Sequence, residues 1–311
     1  VSTARIPAIA GGHDLAPAFD EAARVVRARA RNFYWGLRLT PQPRRGAVYA
    51  VYAWMRAGDD ATDVTDSVKR RRELLGAFTE ATGRVLAGER AVATREQPWW
   101  PAFADAVRTY GLAGDVVGPM LEGLAEDLSH EGYASCGELE SYCRRVAGTA
   151  GRACVRIWGV QDRAVLAKAL ELADVLGCAF QLTNITRDLG EDARNGRVYV
   201  PRDLLEKHGL RAFELASWAR PGGCEAVVAE LVRLALARYE EAGPLTALVS
   251  ADCRPTLAAM TSIYRGLLDA CARSPQRCVA GPRVRLSTLS KLWVVGRTLA
   301  IGPRVQGRPA P

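Results

Sequence analysis

The sequence predicts an all-α fold built as a single domain, and three observations carry that expectation. Apolar residues recur at helical spacing from about residue 20 to about residue 302. Alternating Val/Ile/Thr runs bounded by turn pairs, the mark of strands, are nearly absent. No fixed period repeats along the 311 residues and no low-complexity block interrupts them, which argues against a solenoid. With 49% of residues hydrophobic, one sizeable core is within reach.

Residues 1–17 read as a mobile arm, punctuated by Pro7, the Gly11-Gly12 pair and Pro17. A helical domain spans 18–302, and 303–311 is a C-terminal tail. Asp20 is the expected N-cap of a first helix that runs through VVRARARNFYWGLRLT until Pro41 and Pro43 stop it. The next helix carries YAVYAWMRAGDDATD, and another runs from about Val68 to Gly88 ahead of a loop, REQPWWP. Helices are expected near 101–110, 113–129, 135–147 and 163–192. Asn195-Gly196 makes a turn, after which Pro201 can start a helix. Further helices fall at about 223–241, 243–251 and 254–272; Arg273 to Pro282 is a loop, and 286–301 is the last helix. Gly148 and Gly151, set among Ala and Thr, leave two readings open: close helix packing, or room for a long apolar ligand.

Composition narrows the function. None of the eight cysteines forms Cys-x-x-Cys and no apolar leader opens the chain, so reduced thiols in a cytoplasmic protein are expected. The three histidines, His13, His130 and His208, are not spaced as a zinc pair, so any metal would take oxygen ligands. The net charge of +8 sits in the C-terminal region: after Asp269 there are eight basic residues and no acidic one. Cations gathered there without an interleaved aromatic surface argue against nucleic acid. The segment LSTLSKLWVVGRTLAIG has two readings, peripheral contact with an anionic membrane or a last core helix with a solvated basic face, and the second is preferred. No run of 18 apolar residues exists to span a bilayer.

Two polar rows carry the chemistry. Gln181, Asn184, Asp188 and Asp192 recur at three- and four-residue steps, so they stack on one face of a helix that is otherwise rich in Ala and Leu. One Asp-x-x-x-Asp row is most simply a solvated face. A second copy, Asp59 and Asp63 with Tyr52 and Arg56, lies on another apolar helix. Two such rows, each with an arginine beside its acids, point to two facing carboxylate walls.

Four blocks, NFYWGLRLTP, YAVYAWMRAGDDATD, VAGTAG and QLTNITRDLGEDARNGRVYVPRDLL, resemble in order and separation the squalene and phytoene synthase family, over about residues 20 to 300. The resemblance implies a single isoprenoid-synthase helical bundle with a central cavity. It also implies a prenyltransferase that joins two prenyl diphosphates head to head with Mg²⁺-assisted release of diphosphate. By the same resemblance Asp59, Asp63, Asn184, Asp188 and Asp192 hold Mg²⁺, with Mn²⁺ as a substitute. Tyr52, Arg56, Tyr142, Arg187 and Tyr199 are implied as catalytic, and Phe33, Arg56, Gln181, Asn184, Arg187, Tyr264 and Arg283 as substrate-binding. The chain departs from the family pattern where Ala30 and Asn32 stand in place of serines before Phe33 and where Gly58 and Ala61 replace bulkier apolar residues around Asp59, and these departures are expected to alter pocket shape.

The chemistry suits these residue types. Release of a highly charged anion needs a hard cation held by a few carboxylates and forked arginine donors, and no thiol or histidine nucleophile. From the block ARNFYWGLRL the favoured substrate is farnesyl diphosphate, giving presqualene diphosphate or squalene; the alternative is 15-cis-phytoene from two geranylgeranyl diphosphates. NADPH is not expected, since no nicotinamide-binding fingerprint is present. A non-catalytic assembly or binding relative is disfavoured, because both acidic rows are complete.

Overall fold

The computed structural model describes residues 14–63, 67–89, 94–128 and 132–301. Helices α1 (Ala16–Arg29), α2 (Asn32–Leu37), α3 (Arg44–Thr62), α4 (Val68–Leu86) and α5 (Trp100–Tyr110) come first. A π-helical turn, Ala113–Val117, leads into α6 (Gly118–Asp127). Helix α7 (Cys136–Cys143) runs through a second π-helical turn, Arg144–Gly148, into α8 (Thr149–Trp158). Then follow α9 (Leu166–Arg194), α10 (Arg202–Lys207), α11 (Pro221–Glu241), α12 (Leu245–Leu248), α13 (Arg254–Arg273), α14 (Pro275–Val279) and α15 (Thr288–Ile301). Among the described residues the only β pairing is an isolated bridge between Val160 and Val249.

Helix α9 is the axis of this arrangement. From Leu172 to Phe180 every residue is buried, so the helix has no solvent face there and is covered by α8, α11 and α13. Such all-round burial works only if neighbouring backbones come close. Gly177 allows one approach: a Cβ there would lie 2.3 Å from the Ala147 carbonyl oxygen in the second π turn. Gly190 allows another, since a Cβ there would lie 1.7 Å from the carbonyl oxygen of Val279 in α14. The two glycines of VAGTAG serve the same end. A Cβ at Gly148 would meet Asp174 at 2.7 Å and one at Gly151 the Ala173 carbonyl at 2.4 Å, so both press on α9. Gly58 is likewise a packing residue: its missing side chain faces Leu124 and Phe78 rather than the cavity, so its expected effect on pocket shape is not found.

Several boundaries differ from expectation. The predicted first helix is two, broken at Arg31 with φ of 39°, because α1 buries Ala18, Ala22 and Val26 toward α3 whereas α2 turns to pack Gly36 on Met260 of α13. The helix opens at Ala16 with Pro17 in its first turn, so Asp20 is interior rather than a cap. Residues 1–13 of the expected arm and all of the tail lie outside the described residues. The helix expected at 135–147 continues to Trp158 by way of the π turn, and the loop after Arg273 contains α14. All eight cysteines are free thiols, six of them buried.

The contact at Gly190 gives a direct test of the packing. Gly190→Ala should lower stability by about 1–3 kcal/mol through overpacking against α14, read as a shift of the denaturation midpoint. An unchanged midpoint would contradict the close approach.

Candidate active site

A cavity of about 1330 Å³ opens between α2, α3, α8, α9 and α13. Its floor is apolar, formed by Met120, Val146, Ala153, Ile157, Trp158 and Leu176. Exposed residues at its mouth, Arg27, Arg29, Arg31, Asp63, Glu191 and Arg285, are charged. Both helices that carry the polar rows reach this one space, but not every acid does. Tyr52, Arg56 and Asp59 line it from α3, with Asp63 just past its end; Gln181, Asn184, Arg187 and Glu191 line it from α9, and Asp188 and Asp192 are not among the lining residues. Helical spacing is the cause: residues three and four apart share a face, and in each helix the opposite face is taken up by the core.

An aromatic patch lies between floor and mouth. Phe33 stacks on Tyr264 with ring centroids 4.7 Å apart, and Phe180 approaches the same ring at 4.5 Å. All three rings line the cavity. Tyr142 and Tyr199 are placed differently. They stack on each other at 5.6 Å, with Tyr133 in the same group, and are not among the lining residues. Tyr142 donates a hydrogen bond of 2.8 Å to Asp127, at the end of α6.

The acids are not equivalent. Asp188 is 12% exposed and is gripped by two arginine forks, from Arg187 on its own helix and from Arg283 at 2.8 and 2.6 Å. Burial alone would raise its pKa, but the hydrogen bonds from Arg187 and Arg283 overcome that and hold it below the usual carboxylate range. Asp192 and Asp59 lack such forks. Burial first, then repulsion from Asp188 and Glu191, pushes Asp192 up to about 7. Asp59 also rises to about 7, through burial and repulsion from Asp63, Asp127 and Asp60, although Arg56 is 3.8 Å away. Its side chain is 39% accessible, but the surface it exposes faces the cavity rather than open solvent. Asp127 is pushed up to about 6 by burial, against the bond from Tyr142 and the charge of Arg197.

Sequence reasoning missed Arg197, Asp127 and the partners of Asp60. Arg197, in the turn after α9, donates to Asp63 at 2.8 Å and so ties the second acidic row to the first. Asp60, the second acid of the Asp-Asp pair, is bonded by Arg56 and by Arg29 at 2.8 Å. Arg197 stands two residues before Tyr199 in the stretch that carries the second acidic row, so its position is visible in the sequence but its reach across to Asp63 is not. Asp127 belongs to no spaced row and left no signal.

The donor set suits a hard divalent cation with a diphosphate. Among the described residues no three carboxylate, imidazole or thiol groups form a ready-made cage. Mg²⁺ requires none, because it takes one or two carboxylates and completes its shell with water and substrate phosphates. Arg56 Nε is buried with no hydrogen-bond partner, an unmet donor on the cavity wall of the kind an anionic ligand would satisfy.

Residues 26–290 match a family model described as squalene/phytoene synthase. A phytoene synthase of Mycobacterium tuberculosis (strain ATCC 25618 / H37Rv) is 33% identical over 280 residues, covering 89% of this chain and 88% of its own. A presqualene diphosphate synthase of Rhodopseudomonas palustris is 33% identical over 216 residues, 69% of this chain and 74% of its own. Among solved structures, a dehydrosqualene synthase in complex with ligand superposes with a TM-score of 0.80 at 24% identity, covering 92% of this chain and 96% of that one. A squalene synthase from Alicyclobacillus acidocaldarius gives 0.72 at 27% identity, over 84% and 95% of the two chains.

The raised acids predict a pH effect in the metal-free protein. A carboxylate near pKa 7 when folded and near 3.9 when unfolded holds more protons in the native state between those values, so stability falls as pH rises through that window. Asp59→Asn should therefore match the parent chain near pH 4 and exceed its stability at pH 8, measured by chemical denaturation. Equal stability at both pH values would show that Asp59 carries no such burden.

Proposed function

Because the chain belongs to the squalene and phytoene synthase family and so condenses two prenyl diphosphates head to head, we propose that its substrates are two C20 geranylgeranyl diphosphates, joined to give phytoene. The observation that carries the reaction class is the convergence, on one cavity with an apolar floor, of Asp59 and Asp63 at the end of α3 with Asn184 and Arg187 of α9, Arg187 being bonded to Asp188 behind it. The chain length rests on the relatives: phytoene synthases align over 89% of this chain. A second reading, two farnesyl diphosphates giving presqualene diphosphate or squalene, is supported by the ARNFYWGLRL block and by the equally identical presqualene diphosphate synthase.

In this reading Asp59 and Asp63 on one wall and Asp188, Asp192 and Asn184 on the other hold Mg²⁺, with Mn²⁺ able to replace it. When bound, the ion neutralises charge developing on the departing diphosphate. Arg56 and Arg187 offer forked donors to phosphate oxygens. Arg187 and Arg283 are bonded to Asp188 in the free protein, so binding there involves an exchange of partners. Burial pushes the Tyr52 phenol up to about 12, so near neutral pH it remains protonated and can donate a hydrogen bond. Gln181 continues the α9 row toward the floor and would orient the substrate beside Asn184. The rings of Phe33, Phe180 and Tyr264 offer π faces to an allylic cation, and the apolar floor keeps water from it. Tyr142 and Tyr199 act from behind the acids, Tyr142 by holding Asp127. Contact of the basic C-terminal region with an anionic membrane is part of the same reading.

Incubation with Mg²⁺ and either geranylgeranyl or farnesyl diphosphate, with and without NADPH, separates the two products by mass. Phytoene formed without NADPH from the C20 substrate supports the proposal; turnover of the C15 substrate alone overturns its chain length. Asp59→Ala should slow diphosphate release about 100-fold or more with helicity unchanged. An Asp59→Ala/Asp188→Ala chain that still turned over at the parent rate would end the metal assignment.

A further inference from the structure

The cavity wall contributed by α8 is graded along its length. Ala147, Ala150, Gly151, Cys154, Ile157 and Trp158 all line the cavity and recur at steps of three and four, so they form one strip along the helix and the turn that leads into it. The strip is small as far as Cys154 and bulky at Ile157 and Trp158, which are 1% and 2% exposed. Its direction is fixed by two close approaches to α9: Ala147 is level with Gly177 and Gly151 with Ala173, so the two helices run antiparallel. Trp158 therefore lies eleven residues, about 16 Å of helix, beyond Ala147 toward the start of α9. Asn184 lies seven residues, about 10 Å, beyond Gly177 in the opposite sense. The bulky pair thus stands at the end of the α8 wall farthest from the acids. The backbone behind it is pinned. Helix α8 stops at Gly159, with φ of 77°, whose carbonyl accepts a hydrogen bond of 3.0 Å from the Ser250 N–H, and the Gln161 N–H donates to the Leu248 carbonyl at 3.0 Å. The Trp158 indole Nε1 is buried with no hydrogen-bond partner among the described residues, so the large ring is kept here at the cost of an unmet donor.

We propose that α8 measures one of the two prenyl chains and that Ile157 and Trp158 are its stop, setting chain length by blocking the tail without touching the reacting atoms. A substrate held by its diphosphate at the acids has its tail in the apolar part of the cavity, and the small residues of α8 leave room for that tail up to the bulky pair. Each turn of helix advances about 5.4 Å, close to the reach of one five-carbon unit, so a stop moved by one turn changes the accepted chain by one unit. Cys154 stands one turn nearer the acids than Trp158, on the same strip. A bulky side chain there raises the stop. Loss of the Trp158 ring lowers it, because the pinned backbone behind the ring limits collapse into the space left. A tail one unit too long then meets packed side chains, and forcing it in carries the cost of overpacking. The proposal rests on the prenyl-transfer reading, but not on whether the parent chain takes C15 or C20 substrates.

The test is equilibrium binding, by calorimetry in the presence of Mg²⁺, of unreactive prenyl thiodiphosphates with C10, C15, C20 and C25 tails. The parent chain should bind tails up to one length and lose affinity about tenfold or more for the next. Trp158→Ala should move that limit one unit longer and Cys154→Phe one unit shorter. Trp158→Phe, which keeps the bulk of a ring and removes only the unmet donor, should leave the limit in place. Cys154→Phe adds a side chain to the cavity wall rather than taking one from the core, so it keeps the proposal testable if Trp158→Ala fails to fold. An unmoved limit in either Trp158→Ala or Cys154→Phe, with prenyl binding retained, would overturn the proposal and leave the prenyl reading standing. A parent chain that binds none of the four tails would overturn both. Since the probes do not react, these outcomes are independent of diphosphate release by the Asp59 variants.

Discussion

The constraint on which the rest depends is the confinement of like charges. Asp59, Asp63 and Asp127 are drawn together from α3 and α6, and Asp192 stands beside Asp188 and Glu191 on α9, where burial makes the repulsion within each group expensive. A protein without a use for that arrangement would gain stability by dispersing it. Here it is retained, and arginines offset only part of it: Arg187 and Arg283 quiet Asp188, Arg197 reaches Asp63, and Asp59 and Asp192 are left near neutrality. Such an uneven balance fits a site completed by cations that arrive with an anionic substrate.

The fold serves that confinement. Helix α9 is covered on all sides along Leu172–Phe180 and then continues, without a break, into the polar row that ends at Asp192. One rigid element therefore joins the dry end of the cavity to its charged end. The glycines at 177 and 190 let the second π turn and α14 close on that helix, and α14 in turn leads the chain to Arg283 and its grip on Asp188. Packing and electrostatics are thus linked through the same few residues.

Much of this was legible in the sequence because periodicity records faces. The helical class, both acidic rows and the arginines within them follow from residue spacing. The structure lines one cavity with Tyr52, Arg56, Asp59 and Asp63 of the first row and with Gln181, Asn184 and Arg187, but not Asp188 or Asp192, of the second. What spacing cannot record is contact between distant segments. Arg197 meeting Asp63, Asp127 meeting Tyr142, and the break at Arg31 that lets α2 reach α13 are tertiary events with no local signature. The tyrosines divide on the same ground: Tyr52 and Tyr264 line the cavity, whereas Tyr142 and Tyr199 stand in a stack beside the acids. The last helix shows a further limit. Its apolar content was visible, but which face carried it became clear only once Val294 and Thr298 were seen to point inward.

The joint action of the two acidic rows is most directly tested by Mn²⁺ binding, followed by electron paramagnetic resonance, in the presence of inorganic pyrophosphate. If both walls grip one cation–diphosphate cluster, then replacing either Asp59 and Asp63 or Asp188 and Asp192 by Asn should abolish tight pyrophosphate-dependent Mn²⁺ uptake. Full uptake by a chain with one wall neutralised would show that the two rows, though tied by Arg197, do not act together.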